Sequence, residues 1–233
     1  MSSYQYMNIF NKEGKLVQIE NALEAINSAN PVVIGRNKSI IVCAAKKLYK
    51  PALLDEQPTC LFRISNNVHS LCTGLPADVD QIITKCKNLY FKREYDLGME
   101  ITPDILSTNL ADKAQKMIQS TGERAYCYSM ALFGFDNTSP SIYFTDISGI
   151  SYPYFAVGMG EKSNKINMFL EKNFNVSLND SELQEVVVQS LMQAIGEDSS
   201  ANELSVYVLE RGVPLKELDH KEIDTLLQRI ADK

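Results

Sequence analysis

The chain has 233 residues, 45% hydrophobic and 22% charged, so it can bury about 70 to 75% of the surface its unfolded form exposes, which excludes an intrinsically disordered protein. A net charge of -6 with no Lys/Arg run longer than two residues sets aside nucleic acid and anionic membranes as partners. Five cysteines (Cys43, Cys60, Cys72, Cys86 and Cys127) without a C-x-x-C pair fit buried free thiols in a reducing compartment and exclude a disulfide framework.

The first ten residues lack the basic and long apolar regions of a secretory signal, and no stretch reaches the roughly 18 apolar residues of a membrane span, so the protein is expected to be soluble and not exported. Glycosylation-type triplets at Asn137, Asn175 and Asn179 then carry no weight.

Taken in order, residues 13–26 read EGKLVQIENALEAI. Leu16, Ile19, Leu23 and Ile26 recur at i, i+3, i+7 and i+10, which predicts an amphipathic helix from Glu13 to Ile26 with a narrow apolar seam. That seam can pack on the chain's own core or on a neighbour. Residues 29–31 break the pattern. The runs Val32–Ile34 and Ile40–Cys43 predict one hairpin, and Leu61–Ser65 and Val68–Thr73 a second around Asn66 and Asn67. Pro76 opens a helix with Val79, Ile82, Ile83, Cys86, Leu89 and Tyr90 on one face. Thr102 as cap and Pro103 in the first turn open another that stops at Gly122. The two helices are expected side by side on one sheet face.

Residues 126–135 are nearly all apolar or aromatic, as in a strand buried on both faces. A turn at 136–140, a return strand at 142–145 and a further strand at 152–157 complete a second meander. Residues 162–174 and 181–195 predict a second helix pair, with Gly196 as stop. A strand carrying Leu204, Val206 and Val208 and a helix carrying Ile223, Leu226, Leu227 and Ile230 close the chain. Strands, two helices, strands and two helices make an α+β domain, packed economically as two stacked sheets with helices outside.

EGKLVQIENALEAI resembles the N-terminal signature of alpha-type subunits of the proteasome core particle, F-S-P-E-G-R-L-x-Q-V-E-Y-A-x-E-A-I. Glu13, Gly14, Leu16, Gln18, Glu20, Ala22, Glu24, Ala25 and Ile26 match in register. Further similarity lies at Lys46, Lys47, Leu53, Leu54, Thr73, Gly74, Asp136, Tyr143, Asp146, Gly149 and Gly158. LFRISNNV and REYDLGMEI look most like the subtype at the alpha-one position of the eukaryotic ring.

The resemblance implies the four-layer αββα sandwich of N-terminal-nucleophile hydrolases, with residues 1–12 as a gate tail and 13–233 as one domain. It implies a seven-membered ring with other alpha subunits, a beta ring beneath, regulatory activators as partners and residence in cytoplasm and nucleus. The role implied is a non-catalytic structural and gating subunit in ubiquitin-dependent protein degradation, without a cofactor. The seam Leu16, Ile19, Leu23 and Ile26 would rest on the ring neighbour and the sheet body. Activator tails would enter a pocket at Leu16, Ala29, Cys60 and Gly74, where Cys60 replaces the family's lysine and cannot attract a carboxylate as a cation. At the gate this chain has Ser3, Tyr4, Lys12 and Asn21 in place of the family's tyrosine, aspartate and proline cluster.

Catalytic relatives begin at a threonine whose own α-amino group is the base. The equivalent region here, Ala29 to Pro31, has no hydroxyl and lies behind a helix, and Lys46 replaces the expected aspartate. His69 and His220, the only histidines, leave little for a metal site or a Ser-His-Asp triad, so no metal is expected. Gly158, Met159 and Gly160 before a helix read as close packing ahead of anion binding, and Glu197 and Asp198 as solvated loop acids. Two rivals stay open: a divergent amidohydrolase of the same fold, and a free-standing binding or assembly homologue.

Overall fold

Asn11 sets where the first helix begins. Its Oδ1 accepts the N–H groups of Glu13 and Lys15, each at 2.9 Å, and Gly14 turns the chain with a φ of +77°. Residues 13–15 are therefore a tight turn. The first helix, α1, runs Val17–Asn27 with Leu16 as its cap residue, shorter at its start than the periodicity predicts. A side-chain acceptor and a left-handed glycine compete here with helical hydrogen bonding, which an apolar spacing cannot show. The computed structural model describes residues 10–119, 124–136, 139–196 and 199–232. Ser3, Tyr4, Gly122, Asn137, Glu197 and Asp198 lie outside the described residues.

Both expected hairpins form. β1 (Val32–Arg36) and β2 (Ile40–Lys46) pair antiparallel from Val32 opposite Ala45 to Arg36 opposite Ile41, and β3 (Leu61–Arg63) pairs with β4 (Val68–Gly74). Asn37 closes the first: its Oδ1 accepts from the Ser39 and Ile40 N–H groups, and its Nδ2 donates to Leu178 O and Asp180 Oδ1. The hairpin tip is thereby tied to a loop about 140 residues away.

Helices α2 (Pro76–Leu97) and α3 (Pro103–Ile118) follow, then β5 (Tyr128–Asp136) and β6 (Ser139–Asp146). Thr102 stands at the cap position of α3, but its hydroxyl donates to the Asp104 carboxylate instead of accepting a backbone N–H. The single strand expected over 152–157 is two. β7 (Ser151–Pro153) pairs with β6, whereas β8 (Ala156–Met159) pairs with β1 in the other sheet. Tyr154 and Phe155 carry the chain between sheets, a switch invisible to hydropathy because both halves are apolar.

α4 (Ser163–Asn173), α5 (Asp180–Ile195), β9 (Leu204–Glu210), a short β10 (Lys216–Glu217) that the pattern does not announce, and α6 (His220–Ala231) complete the fold. Capping boxes open α5 (Asn179, Glu182) and α6 (Asp219, Glu222).

The sheets have the orders β10-β9-β2-β1-β8 and β3-β4-β5-β6-β7. β1 and β2 are buried on both faces: Val33, Val42 and Ala44 pack against Leu183, Val187 and Leu191 of α5, while Val32, Ile34, Ile41 and Cys43 meet Leu71, Ala131, Phe133 and Ile142 of the second sheet. α2 and α3 cover the other side of that sheet through Val79, Ile82, Cys86, Leu106 and Leu110. The result is the expected four-layer αββα sandwich.

The junction between the first helix and the first strand

Asn30, between α1 and β1, joins the positions expected to form the tail pocket. Its Nδ2 donates to Lys46 O at 2.7 Å and to Cys60 Sγ at 3.4 Å, and its own carbonyl accepts from Thr73 Oγ1 at 2.7 Å. The carbonyl of the preceding Ala29 accepts from Glu161 N at 2.8 Å. Asn30 thus gathers the end of β2, the approach to β3 and the end of β4, and Ala29 adds the β8–α4 turn. Ala29 and Cys60 adjoin it, and Gly74 follows directly on Thr73.

Leu16 joins from the other side, packed with Ile19 and Ile26 on Ala125, Cys127 and Ile147. A Cβ on Gly74 would lie 2.2 Å from the Cys127 carbonyl, so Cys127 links the two groups. Cys60 is buried. Burial pushes its thiol up, only partly offset by the Asn30 amide, so the sulfur is neutral and protonated at physiological pH. Asn30 itself was not singled out from the sequence; the only signal was an amide directly ahead of Pro31 and a buried strand.

A clamp holds the strand beside this junction. The Asp78 carboxylate, buried in the first turn of α2, accepts from Arg124 Nη1 (2.5 Å) and Nη2 (2.8 Å) and from the Cys127 N–H (2.7 Å). The Arg124 hydrogen bonds hold it below the ordinary carboxylate range, with the Cys127 N–H adding to the effect against the opposing cost of burial. Arg124 also reaches Ala125 O at 3.1 Å.

The α1 seam lies on the chain's own body: Ile19 and Ile26 are buried, and Leu16 and Leu23 are half-buried against the same cluster. Of the gate positions, Lys12 is exposed in the Asn11–Lys15 turn and Asn21 is exposed on α1.

The chain runs unbroken through Ala29, Asn30 and Pro31, so the nitrogen that would have to be a free amine is a peptide nitrogen. α1 stands ahead of it, and Lys46 is exposed with its carbonyl occupied by Asn30. Gly158 and Gly160 serve packing. The Gly158 N–H is taken by Asn167 Oδ1 at 2.8 Å, and a Cβ on Gly160 would come within 2.3 Å of Asn30 O.

His69 is buried, stacked on Phe133 with ring centroids 5.6 Å apart. Burial, helped by Arg63, lowers its pKa to about 4, so it is neutral at pH 7. His220 pairs with Asp224 on the surface of α6. Among the described residues there is no group of three or more His, Cys, Asp or Glu side chains able to hold a metal, and no helix is long and apolar enough to cross a membrane.

Residues 27–209 match the family described as "Proteasome subunit". The chain is similar to proteasome subunit alpha type-7-A of Arabidopsis thaliana, 31% identical over 227 residues that cover 96% of this chain and 90% of the relative. It is similar also to the probable proteasome subunit alpha type-1 of Schizosaccharomyces pombe, at 28% identity over 97% and 96% of the two chains. A third relative is the proteasome subunit alpha of Pyrobaculum aerophilum, at 27% over 97% and 93%.

Proposed function

The chain belongs to the proteasome subunit family as an alpha-type member, and from that premise we propose that it is a non-catalytic wall and gate subunit whose nucleophile position has become a structural junction. Its role is that of a structural alpha subunit of the core particle, within a family whose alpha members generally lack catalysis and assemble in rings with other proteasome subunits. The observation that carries the non-catalytic reading is Asn30: a mid-chain residue whose nitrogen is a peptide nitrogen and whose carbonyl and side-chain amide are hydrogen-bonded, where an active relative needs a free amine and a hydroxyl.

The finer assignments rest on the resemblance. Neighbours would be alpha subunits in a seven-membered ring, with a beta ring beneath and regulatory activators above. LFRISNNV and REYDLGMEI favour the alpha-one position, whereas the relatives named above include both type-7 and type-1 subunits. Five buried free cysteines suit the reducing cytoplasm and nucleus. Residues 13–233 act as one domain behind a gate tail at 1–12. Native mass spectrometry of the complex recovered with a C-terminally tagged copy tests the role. Stoichiometric recovery with alpha and beta subunits is expected; a lone chain with a shortened N-terminus would instead indicate a processed amidohydrolase.

The tail pocket at Leu16, Ala29, Cys60 and Gly74 is proposed to receive activator tails weakly, because the neutral Cys60 thiol offers a carboxylate no charge-assisted hydrogen bond. Cys60→Lys is expected to strengthen docking of a tail peptide to the assembled particle about 10-fold or more, since such bonds contribute roughly 1.5–3 kcal/mol and the lysine stem can lift its ammonium out of the apolar surround. Fluorescence anisotropy of a labelled tail peptide reads it. Unchanged affinity would mean that the neighbour already supplies the cation.

A further inference from the structure

The helix layer over the second sheet leaves a space that its own side chains do not fill. Between the middle of α2 and the C-terminal half of α3 lies a cavity of about 460 Å³, closed below by Tyr128 of β5 and by Ile147 directly after β6. Its floor is aliphatic, with Ile82 and Leu89 from α2 and Leu110 from α3, all buried. Two wall positions, Ala114 and Ala125, carry only a methyl group, whereas interiors otherwise pack with few voids larger than a water molecule. The size lies within the ~300–1,000 Å³ range of cavities that seat small molecules.

The wall of this hollow carries one sign of charge. Lys85 and Lys92 of α2 and Lys113 and Lys116 of α3 line it, and no Asp or Glu does, in a chain that has 29 acidic residues against 23 basic ones. The other polar residues of the wall are Asn88 and the tyrosines Tyr126 and Tyr128. None of the four lysines makes an ion pair with a described residue. Lys85 is held in place: its Nζ donates to Tyr126 Oη at 2.6 Å and lies 4.3 Å from the centroid of that ring, which leaves it further N–H donors. Lysines scattered over a surface are ordinary. Four unpaired ones around a single apolar hollow are complementary to a ligand with an apolar body and an anionic end.

We propose that the α2–α3 cavity binds a single-chain amphiphile with a phosphomonoester head, its chain seated on the Ile82, Leu89 and Leu110 floor and its phosphate among Lys85, Lys92, Lys113 and Lys116. A phosphomonoester carries about 1.5 to 2 negative charges at neutral pH, and lysine binds phosphate as a point charge. A single carboxylate would leave most of the four cations uncompensated, and inorganic phosphate would leave the aliphatic floor in water. The net charge of -6 disfavours an anionic bilayer, so the ligand is the free molecule. The inference goes beyond the family assignment and does not depend on the ring position of the chain.

The probe is dodecyl phosphate with a diazirine in its chain, added to the protein recovered through a tagged copy, both as the free chain and in any assembly that carries it. Irradiation and peptide mapping by mass spectrometry are expected to place the adducts within residues 82–92 and 110–117 in both forms. Unlabelled dodecyl phosphate should compete roughly 10-fold better than dodecanol or inorganic phosphate. Lys113 and Lys116 are exposed, so Lys113→Glu/Lys116→Glu should keep its thermal midpoint yet lose roughly 10-fold or more of the labelling. Ala114→Leu, which fills the hollow and leaves the lysines in place, should lower labelling as well. Adducts spread over the whole chain, equal competition by dodecanol or by phosphate, or undiminished labelling of either variant overturns the proposal. Labelling of the free chain that disappears in the assembly assigns the cavity to a neighbouring subunit and overturns it too.

Discussion

Gly160→Ala is expected to destabilise the chain by about 3 kcal/mol or more, read as a shift of the urea midpoint. Gly160 has a φ of +86°, and a Cβ there would lie 2.3 Å from Asn30 O and 2.9 Å from Ala29 O. Strain from the left-handed backbone contributes roughly 1–3 kcal/mol, and overpacking against a well-filled interior a further 1–3. The obstructing atoms are backbone carbonyls already engaged by Thr73 and Glu161, so they cannot swing aside. Gly14→Ala separates the two contributions. It has a similar φ of +77° and nothing within 4 Å, so it should cost only about 1 kcal/mol. Equal losses at the two positions would show that the crowding around Asn30 is not what makes Gly160 indispensable.

Asp78→Ala should cost about 3 kcal/mol at pH 7. It removes the charge-assisted bonds from Arg124 and strands the buried Cys127 N–H. The Arg124 side chain is 62% exposed, so its guanidinium is rehydrated on losing its partner, which keeps the loss below that of breaking a fully buried pair. The acid limb carries a second signature. A carboxylate held below its unfolded pKa stabilises the fold fully above the ordinary carboxylate range, near 3.8, and that contribution is lost as pH falls through the lower folded value. Asp78→Asn should therefore be less stable than the parent at pH 7 and converge on it only as pH falls through the lowered folded-state value. Urea midpoints across that range test it, and a pH-independent difference would assign the loss to packing alone.

Most of the layer plan was legible in the residues because it rests on local periodicity. The apolar faces of α2, α3 and α5, the two early hairpins and the doubly buried β5 all follow from spacing that needs no distant partner. The late start of α1 was not, because Asn11 and Gly14 act through hydrogen bonds and a backbone sign rather than hydropathy. Nor was the switch at Tyr154 and Phe155, where equally apolar residues serve two different sheets. At the junction, the neutrality of Cys60 could be read from its side chain alone. The organising role of Asn30 could not, since its partners Lys46, Cys60 and Thr73 lie 16 to 43 residues away and no pattern along the chain connects them.

The two sheets also differ in how much of the polypeptide each one requires. The β3-β4-β5-β6-β7 sheet uses only residues 61–153 and pairs each strand with its successor, so it can be completed as those residues leave the ribosome. The other sheet cannot. Its β1–β2 hairpin is synthesised first, yet it waits for β8 at 156–159 and for β9 at 204–210 before either edge is covered. During translation the earliest strands are thus the last to be enclosed, with Val32 to Ala45 as an unprotected template for mispairing in any chain that terminates before residue 204.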